Sequence, residues 1–140
     1  MIVYCAGAIK GDTSYQKYLK EIIIYLSSLE HTPLSELNEN FKSAIPLTDK
    51  EIFKRDIKWL EQSKIMIAEI SGASLGVGFE ISYALYELKI PVLALYNSKV
   101  EAISAMISGC TSKLITIKNY SDIEELKNIV SDFVKKRSEN

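Results

Sequence analysis

Apolar runs of strand length alternate with helical patterns along the chain, and that alternation restricts the fold more than any other feature. Met1 to Gly7 is a continuous apolar run and predicts the first strand. A helix follows from about Thr13 to Leu29, its stripe including Tyr18, Ile22 and Tyr25. A weaker second strand lies near His31 to Glu36. The polar stretch Leu37 to Leu47, with Asn38, Asn40 and Pro46, exceeds the usual ~2–6 residues of such connections and reads as a flexible lid. Thr48-Asp49-Lys50-Glu51 has the form of a capping box opening a helix that reaches Gln62. Ile65 to Ile70 predicts the third strand, Leu75 to Lys89 the next helix, and Pro91 to Tyr96 the fourth strand. Ser98-Lys99-Val100-Glu101 has the same capping form and predicts a short helix ending near Gly109. Leu114 to Ile117 predicts a fifth strand, Ser121 to Glu124 the cap of a last helix, and Lys135 to Asn140 a frayed polar end.

Strands alternating with helices in this way imply a parallel sheet covered on both faces. The expected fold is α/β: a flavodoxin- or Rossmann-like three-layer sandwich whose five strands run in the order 2-1-3-4-5. Ligands of such sheets bind at the carboxyl ends of the strands, where the strand order reverses beside strand 1. Gly7 to Gly11 and Ser71 to Gly78 should meet there, and both are rich in glycine and small residues.

The length suits one domain spanning residues 1–140. A net charge of -1 argues against nucleic acid or an anionic membrane as the main partner, since such proteins carry a basic excess. The N-terminal Met1-Ile2-Val3-Tyr4 has no basic region ahead of its apolar run, which argues against a secretory signal. No apolar stretch approaches the ~20 residues of a membrane span, and a cytoplasmic protein is expected. Cys5 and Cys110 lack metal or redox spacing and read as buried thiols in a reducing compartment. A single histidine, His31, leaves little for a His-based metal site or a Ser-His-Asp triad; no metal and no cofactor is expected.

Four positions carry chemical interest. In Ser71-Gly72-Ala73-Ser74-Leu75-Gly76-Val77-Gly78-Phe79-Glu80, the glycines would let an anion approach free amides at a helix N-terminus, with Ser74 as cap or donor. A tight strand-to-helix turn with an N-cap serine explains the spacing equally well. Glu80 lies four residues after Gly76, on the same side of the helix, within reach of a sugar whose phosphate sits near Gly76. By spacing alone it is also an ordinary first-turn glutamate. Asp56 falls inside the apolar stripe of Ile52, Phe53, Ile57, Trp59 and Leu60, and an inward carboxylate is costly unless paired or used. Two carboxylates near one sugar suit glycosidic chemistry, and Tyr4 in strand 1 is placed to orient one of them.

Three blocks together resemble the 2'-deoxynucleoside 5'-monophosphate N-glycosidases of the nucleoside 2-deoxyribosyltransferase superfamily. They are Val3-Tyr4 with Gly7-Ala8-Ile9-Lys10-Gly11; Asp56 to Leu60 with Ala68-Glu69-Ile70 and Ser74 to Glu80; and Ser104-Ala105-Met106-Ile107. The resemblance spans nearly the whole chain in order. It implies Glu80 as the nucleophilic or transition-state-stabilising carboxylate, Asp56 as the partner acid, and Tyr4 as the holder of the carboxylates that crowds the sugar's 2' position. It implies Ser74 and Gly76 as 5'-phosphate ligands, and Gly7, Ala8, Ile9 and Lys10 on the base and phosphate side. Ser104 would complete the phosphate site from the neighbouring subunit of a homodimer, with Met106 close to the ligand. The apolar residues Ala102, Ile103, Ala105, Met106 and Ile107, spread over more than one face of the predicted helix, agree with a dimer.

Ala8, where relatives often have serine, Lys10, where many have arginine, and Leu37, where some have a base-contacting histidine, depart from the pattern. The implied activity is hydrolysis of a (deoxy)nucleoside 5'-monophosphate to free base and (deoxy)ribose 5-phosphate, a step of nucleotide salvage. A deoxyribosyltransferase passing the sugar to a second base is the nearest alternative, and a non-catalytic nucleotide-binding sensor the alternative of another class.

Overall fold

The computed structural model describes residues 1–139. Its sheet has five parallel strands in the order β2-β1-β3-β4-β5: β1 (Ile2–Gly7), β2 (Thr32–Leu34), β3 (Ile65–Glu69), β4 (Val92–Asn97) and β5 (Ile115–Tyr120). The helices are α1 (Gln16–Ser28), α2 (Asp49–Gln62), α3 (Leu75–Ser82, continued by a π-helical segment Tyr83–Leu88), α4 (Ala105–Ser108) and α5 (Ile123–Ser138). This is the expected architecture and strand order, with β1 between β2 and β3 at the reversal.

Alternation along the central strands sorts the core into two layers. Val3 and Cys5 of β1, Ile65 and Ile67 of β3, and Leu93 and Leu95 of β4 pack against Leu19, Ile22 and Leu26 of α1 and Leu126, Val130 and Phe133 of α5. Tyr4 and Ala6, Met66 and Ala68, and Val92 point the other way, onto Leu60 of α2 and Val77, Ile81 and Leu85 of α3 and its continuation. Tyr4 therefore faces α2 and α3, while Glu69 faces Tyr120 on the α1–α5 side. Among the described residues no helix is long and apolar enough to cross a membrane.

Local chemistry explains most element ends. Thr48 and Glu51 form the predicted capping box, with Glu51 N–H donating to Thr48 Oγ1 at 3.2 Å and Thr48 N–H to Glu51 Oε1 at 3.0 Å. The first helix starts at Gln16 rather than Thr13, because Asp12 Oδ1 accepts from both the amide and the hydroxyl of Ser14 and turns the chain there. The capping box predicted at Ser98 does not form. Asn97 Oδ1 accepts from Lys99 N–H and Val100 N–H donates to the Asn97 carbonyl, so these residues make a turn. The short helix begins instead at Ala105, capped by Ser104, whose hydroxyl accepts from Met106 N–H. Asp122 caps the last helix, which stays ordered as helix through Ser138 instead of fraying from Lys135; the remainder of that expectation falls on Asn140, outside the described residues. The stretch after β2 is anchored at its start, where buried Asn38 donates to the Pro33 carbonyl at 2.7 Å and caps a 3-10 turn, Glu39–Phe41.

The two ligand-end loops lie backbone to backbone. A Cβ on Gly72 would sit 2.0 Å from the Asp12 carbonyl oxygen, and one on Gly11 would sit 2.3 Å from that of Ala73. Asp12 N–H donates to the same Ala73 carbonyl at 3.3 Å. Only glycine permits this approach. Gly72→Ala is expected to lower unfolding free energy by about 1–3 kcal/mol, read in urea. Gly78→Ala, in α3 with nothing within 4 Å of the added Cβ, should instead raise it by up to about 1 kcal/mol. Equal effects of the two would refute the clamp.

Candidate active site

Three side chains from three elements converge on the α2–α3 face of the sheet. Tyr4 from β1 donates its hydroxyl to Glu80 Oε2 from α3. Asp56 from α2 lies beside the same hydroxyl and adds its charge to that of Glu80. The ring contact between Phe53 of α2 and Phe79 of α3, centroids 6.0 Å apart, holds the two helices side by side over this cluster. Phe53 itself is 56% exposed, so the inward face of α2 is narrower than the stripe read from sequence.

Arg55 was not singled out from the sequence, and it is the cation of the site. Its Nε donates to Asp56 Oδ1 at 2.9 Å, its Nη2 lies 3.6 Å from Glu36 Oε2, and its guanidinium stacks 4.6 Å over the Trp59 ring. The signal that marks it is its place beside Asp56 and one turn before Trp59. Arg55 separates the two carboxylates chemically. Burial pushes both Asp56 and Glu80 above the ordinary carboxylate range, but Asp56 holds a direct hydrogen bond from Arg55 that draws it back down. Glu80 takes its hydrogen bond from the Tyr4 hydroxyl and feels Arg55 only through its charge, less than those of Asp56 and Glu36, and burial carries it to about 7. Burial, then the charges of Glu80 and Asp56, push the Tyr4 phenol far up, so it stays a proton donor.

The phosphate-type residues gather at the N-terminus of α3. Ser74 is the N-cap, its hydroxyl accepting from Val77 N–H at 3.3 Å and keeping its own proton to donate. Val77 N–H is taken by Ser74 Oγ and Gly78 N–H by the Ser74 carbonyl, so the amides of Leu75 and Gly76 lie ahead of the first helical hydrogen bond, at the end of the helix that favours an anion. A groove of about 1200 Å³ opens here, and Lys10, Ser74, Gly76, Ser104 and Met106 line it. Tyr4, Asp56 and Glu80 are not in its lining; they meet on the α2 side of α3. Gly7 and Ala8 are buried at the end of β1, bordering a water-sized cavity with Tyr15, Gln16 and Glu69, and the chain emerges only at Ile9 and Lys10.

Cys110 is only partly buried, its thiol 3.7 Å from the Tyr86 hydroxyl, which corrects the expectation of two buried thiols; Cys5 is buried as expected. Among the described residues no three His, Cys, Asp or Glu side chains group so as to hold a metal ion.

The fold and the cluster define a class: a doubly wound α/β protein with a tyrosine-held carboxylate pair beside an anion-ready helix N-terminus at the strand reversal. The model of the nucleoside 2-deoxyribosyltransferase family matches residues 3–132, and this chain belongs to that family. A Thermofilum pendens protein provisionally named 2'-deoxynucleoside 5'-phosphate N-hydrolase 1 is 37% identical over 128 residues, covering 89% of each chain. The 5-hydroxymethyl-dUMP N-hydrolase of Esox lucius is 32% identical over 142 residues, covering 96% of this chain and 97% of its own. Among solved structures, a Clostridium botulinum CMP N-glycosidase superposes with a TM-score of 0.70 at 16% identity, covering 94% of this chain and 98% of that one. A 2-deoxyribosyltransferase from Bacillus psychrosaccharolyticus gives 0.66 at 19% identity, with 90% of each chain covered. These two likenesses show the shared fold.

Glu80 sets a pH dependence of stability. Its folded pKa of about 7 lies above the unfolded value of about 4.3, so its contribution is fully present below that lower value and is lost as pH rises through 7. Glu80→Gln removes the titration. Its Tm relative to the parent protein should therefore rise by several degrees between pH 5 and pH 8, and a difference independent of pH would contradict the assignment.

Proposed function

We propose that this protein hydrolyses the N-glycosidic bond of 2'-deoxynucleoside 5'-monophosphates, giving free base and deoxyribose 5-phosphate. The observation that carries the reading is the Tyr4–Glu80 pair with Asp56 beside it, about one and a half helical turns from an anion-ready N-terminus. The names of the relatives, N-hydrolases of 2'-deoxynucleoside 5'-phosphates and of 5-hydroxymethyl-dUMP, support the same bond and substrate class.

In this mechanism Ser74 and the Gly76 amide hold the 5'-phosphate, and the sugar extends along α3 toward Glu80. Ionised Glu80 faces the anomeric carbon as the C1'–N bond breaks, and the bond's electron pair leaves with the base. Asp56 manages the proton that the departing base takes up. Water then adds to the anomeric carbon and gives its proton to Asp56, which has just protonated the base, so the sugar phosphate is released and Glu80 stays ionised throughout. Tyr4 keeps Glu80 in place and crowds the sugar's 2' side, favouring deoxyribose, while Ile9 and Lys10, where the chain emerges beyond buried Gly7 and Ala8, border the base and phosphate. The working unit is a homodimer in which Ser104 of a second copy completes the phosphate site. Leu75 and Met106, 97% and 83% exposed at the rim of the groove, support such a contact. The setting is nucleotide salvage in a reducing compartment, the cytoplasm.

Transfer of the sugar to a second base is the alternative that the family name keeps open. A panel of ribo- and deoxyribonucleoside monophosphates and the matching nucleosides, each with a labelled acceptor base, separates the readings. Deoxyribonucleoside monophosphates are expected to release base at least about tenfold faster than nucleosides, since charge-assisted bonds to the phosphate are worth that much. Labelled nucleoside product would favour transfer, and binding without base release would favour a sensor. With the favoured monophosphate, kcat/KM should fall on the acid side of about pH 7 as free-enzyme Glu80 takes up a proton. A flat profile from pH 5 to 8 would contradict its role as the ionised group.

A further inference from the structure

Glu69 ends β3 on the face opposite Glu80, and the glycosidic chemistry makes no use of it. It is 3% exposed, and a carboxylate so deeply buried is costly unless its oxygens are fully hydrogen-bonded. Three donors meet it. Ser71 N–H donates to Oε1 at 2.7 Å, the Ser71 hydroxyl to Oε2 at 2.8 Å, and the Tyr120 hydroxyl to the same Oε2. The Ser71 hydroxyl in turn accepts from Asn97 N–H at 2.7 Å. The ends of β3, β4 and β5 are thus tied to one residue, and that residue opens the loop leading to Ser74 and Gly76.

The arrangement demands a carboxylate. With Asn97 N–H already donating to it, the Ser71 hydroxyl needs an acceptor for its own proton, and Oε2 supplies one while also accepting from Tyr120. Glutamine in this orientation turns that oxygen into an NH₂ group, a donor facing a donor. An apolar residue would leave the Ser71 amide and two hydroxyls without this partner. Ser71 opens the loop that lies backbone to backbone on the β1–α1 connection at Gly72 and ends three residues later at the Ser74 cap, so it fixes where that short segment starts.

We propose that Glu69 is a positioning residue for the 5'-phosphate: through Ser71 it sets the place of Ser74 and the first amides of α3. The proposal rests on the N-glycosidase reading for the identity of the ligand. Hydrogen bonds weaken steeply with distance and angle, so a small displacement of this turn acts on phosphate affinity before it acts on chemistry at Glu80.

The test uses the full chain with Glu69→Gln, Ser71→Ala and Tyr120→Phe, each checked for native circular dichroism. Kinetics with a deoxyribonucleoside monophosphate and its nucleoside are measured, together with calorimetric binding of deoxyribose 5-phosphate. For Glu69→Gln, KM for the monophosphate and Kd for deoxyribose 5-phosphate should both rise about tenfold, the scale of one lost charge-assisted bond. The monophosphate kcat should stay within about threefold, because the loss falls on binding shared by ground and transition states. Tyr120→Phe should give a smaller shift in the same direction.

A fall in kcat of equal size for monophosphate and nucleoside, with KM unmoved, would overturn the proposal. Should Glu69→Gln fail to fold, Ser71→Ala decides: unchanged KM and Kd overturn the proposal, and a selective rise supports it. If the parent protein binds deoxyribose 5-phosphate but releases no base, weakened binding in Glu69→Gln upholds the positioning role while the hydrolase reading falls. If the parent protein releases base and Glu69→Gln matches it in KM and Kd, the positioning role falls and the hydrolase reading stands.

Discussion

The hydrogen bond from Tyr4 to Glu80 joins the first strand to the third helix, and the chemistry of the site depends on it. Tyr4 can reach Glu80 only because β1 is an interior strand whose even positions face α2 and α3. Glu80 can reach Tyr4 only because α3 begins at Ser74, which places position 80 one and a half turns into the helix. The bond is made between a phenol that burial keeps protonated and a carboxylate that burial lifts to about 7. Asp56 sits in the same cluster but is paired with Arg55. A cation that hydrogen-bonds one of the two carboxylates and touches the other only through its charge differentiates them, which is the condition for assigning them separate tasks.

Around this bond the ligand end of the sheet is built to be stiff. Gly11 and Gly72 let the two loops dock without intervening side chains, and Glu69 ties the second loop to three strand ends from the opposite face. The same tyrosine–glutamate pairing thus occurs on both faces of the sheet. Beside α2 it holds Glu80 against the first strand. Beside α5 it holds a carboxylate that holds a loop.

The strands and their order were legible because a buried parallel sheet requires continuous apolar runs, and the capping box at Thr48 is a local signal that survived into the structure. The capping pattern at Ser98 failed because Asn97, the last residue of β4, competes for the same backbone as the centre of a turn. Sequence spacing has no means of weighing that competition. Tyr4, Asp56 and Glu80 are legible in the sequence as an inward tyrosine and two carboxylates, and they converge. Ser104 and Met106 are both exposed, because α4 is a single short turn that packs neither side chain against the sheet. Arg55 was missed because a charged residue on an amphipathic helix looks solvated until its neighbours are known. Glu69 carried a visible signal, a lone acid in the apolar run Ile65 to Ile70, but its donors Ser71 and Tyr120 lie 2 and 51 residues away.

The central claim is that the carboxylate held by Tyr4 acts on the anomeric carbon. Base release from the favoured deoxyribonucleoside monophosphate, compared between the parent protein and a folded Glu80→Ala variant, tests it most directly. Loss of release by a factor of about a thousand or more, with unchanged circular dichroism, is the result the account requires. Release within about tenfold of the parent rate would contradict it.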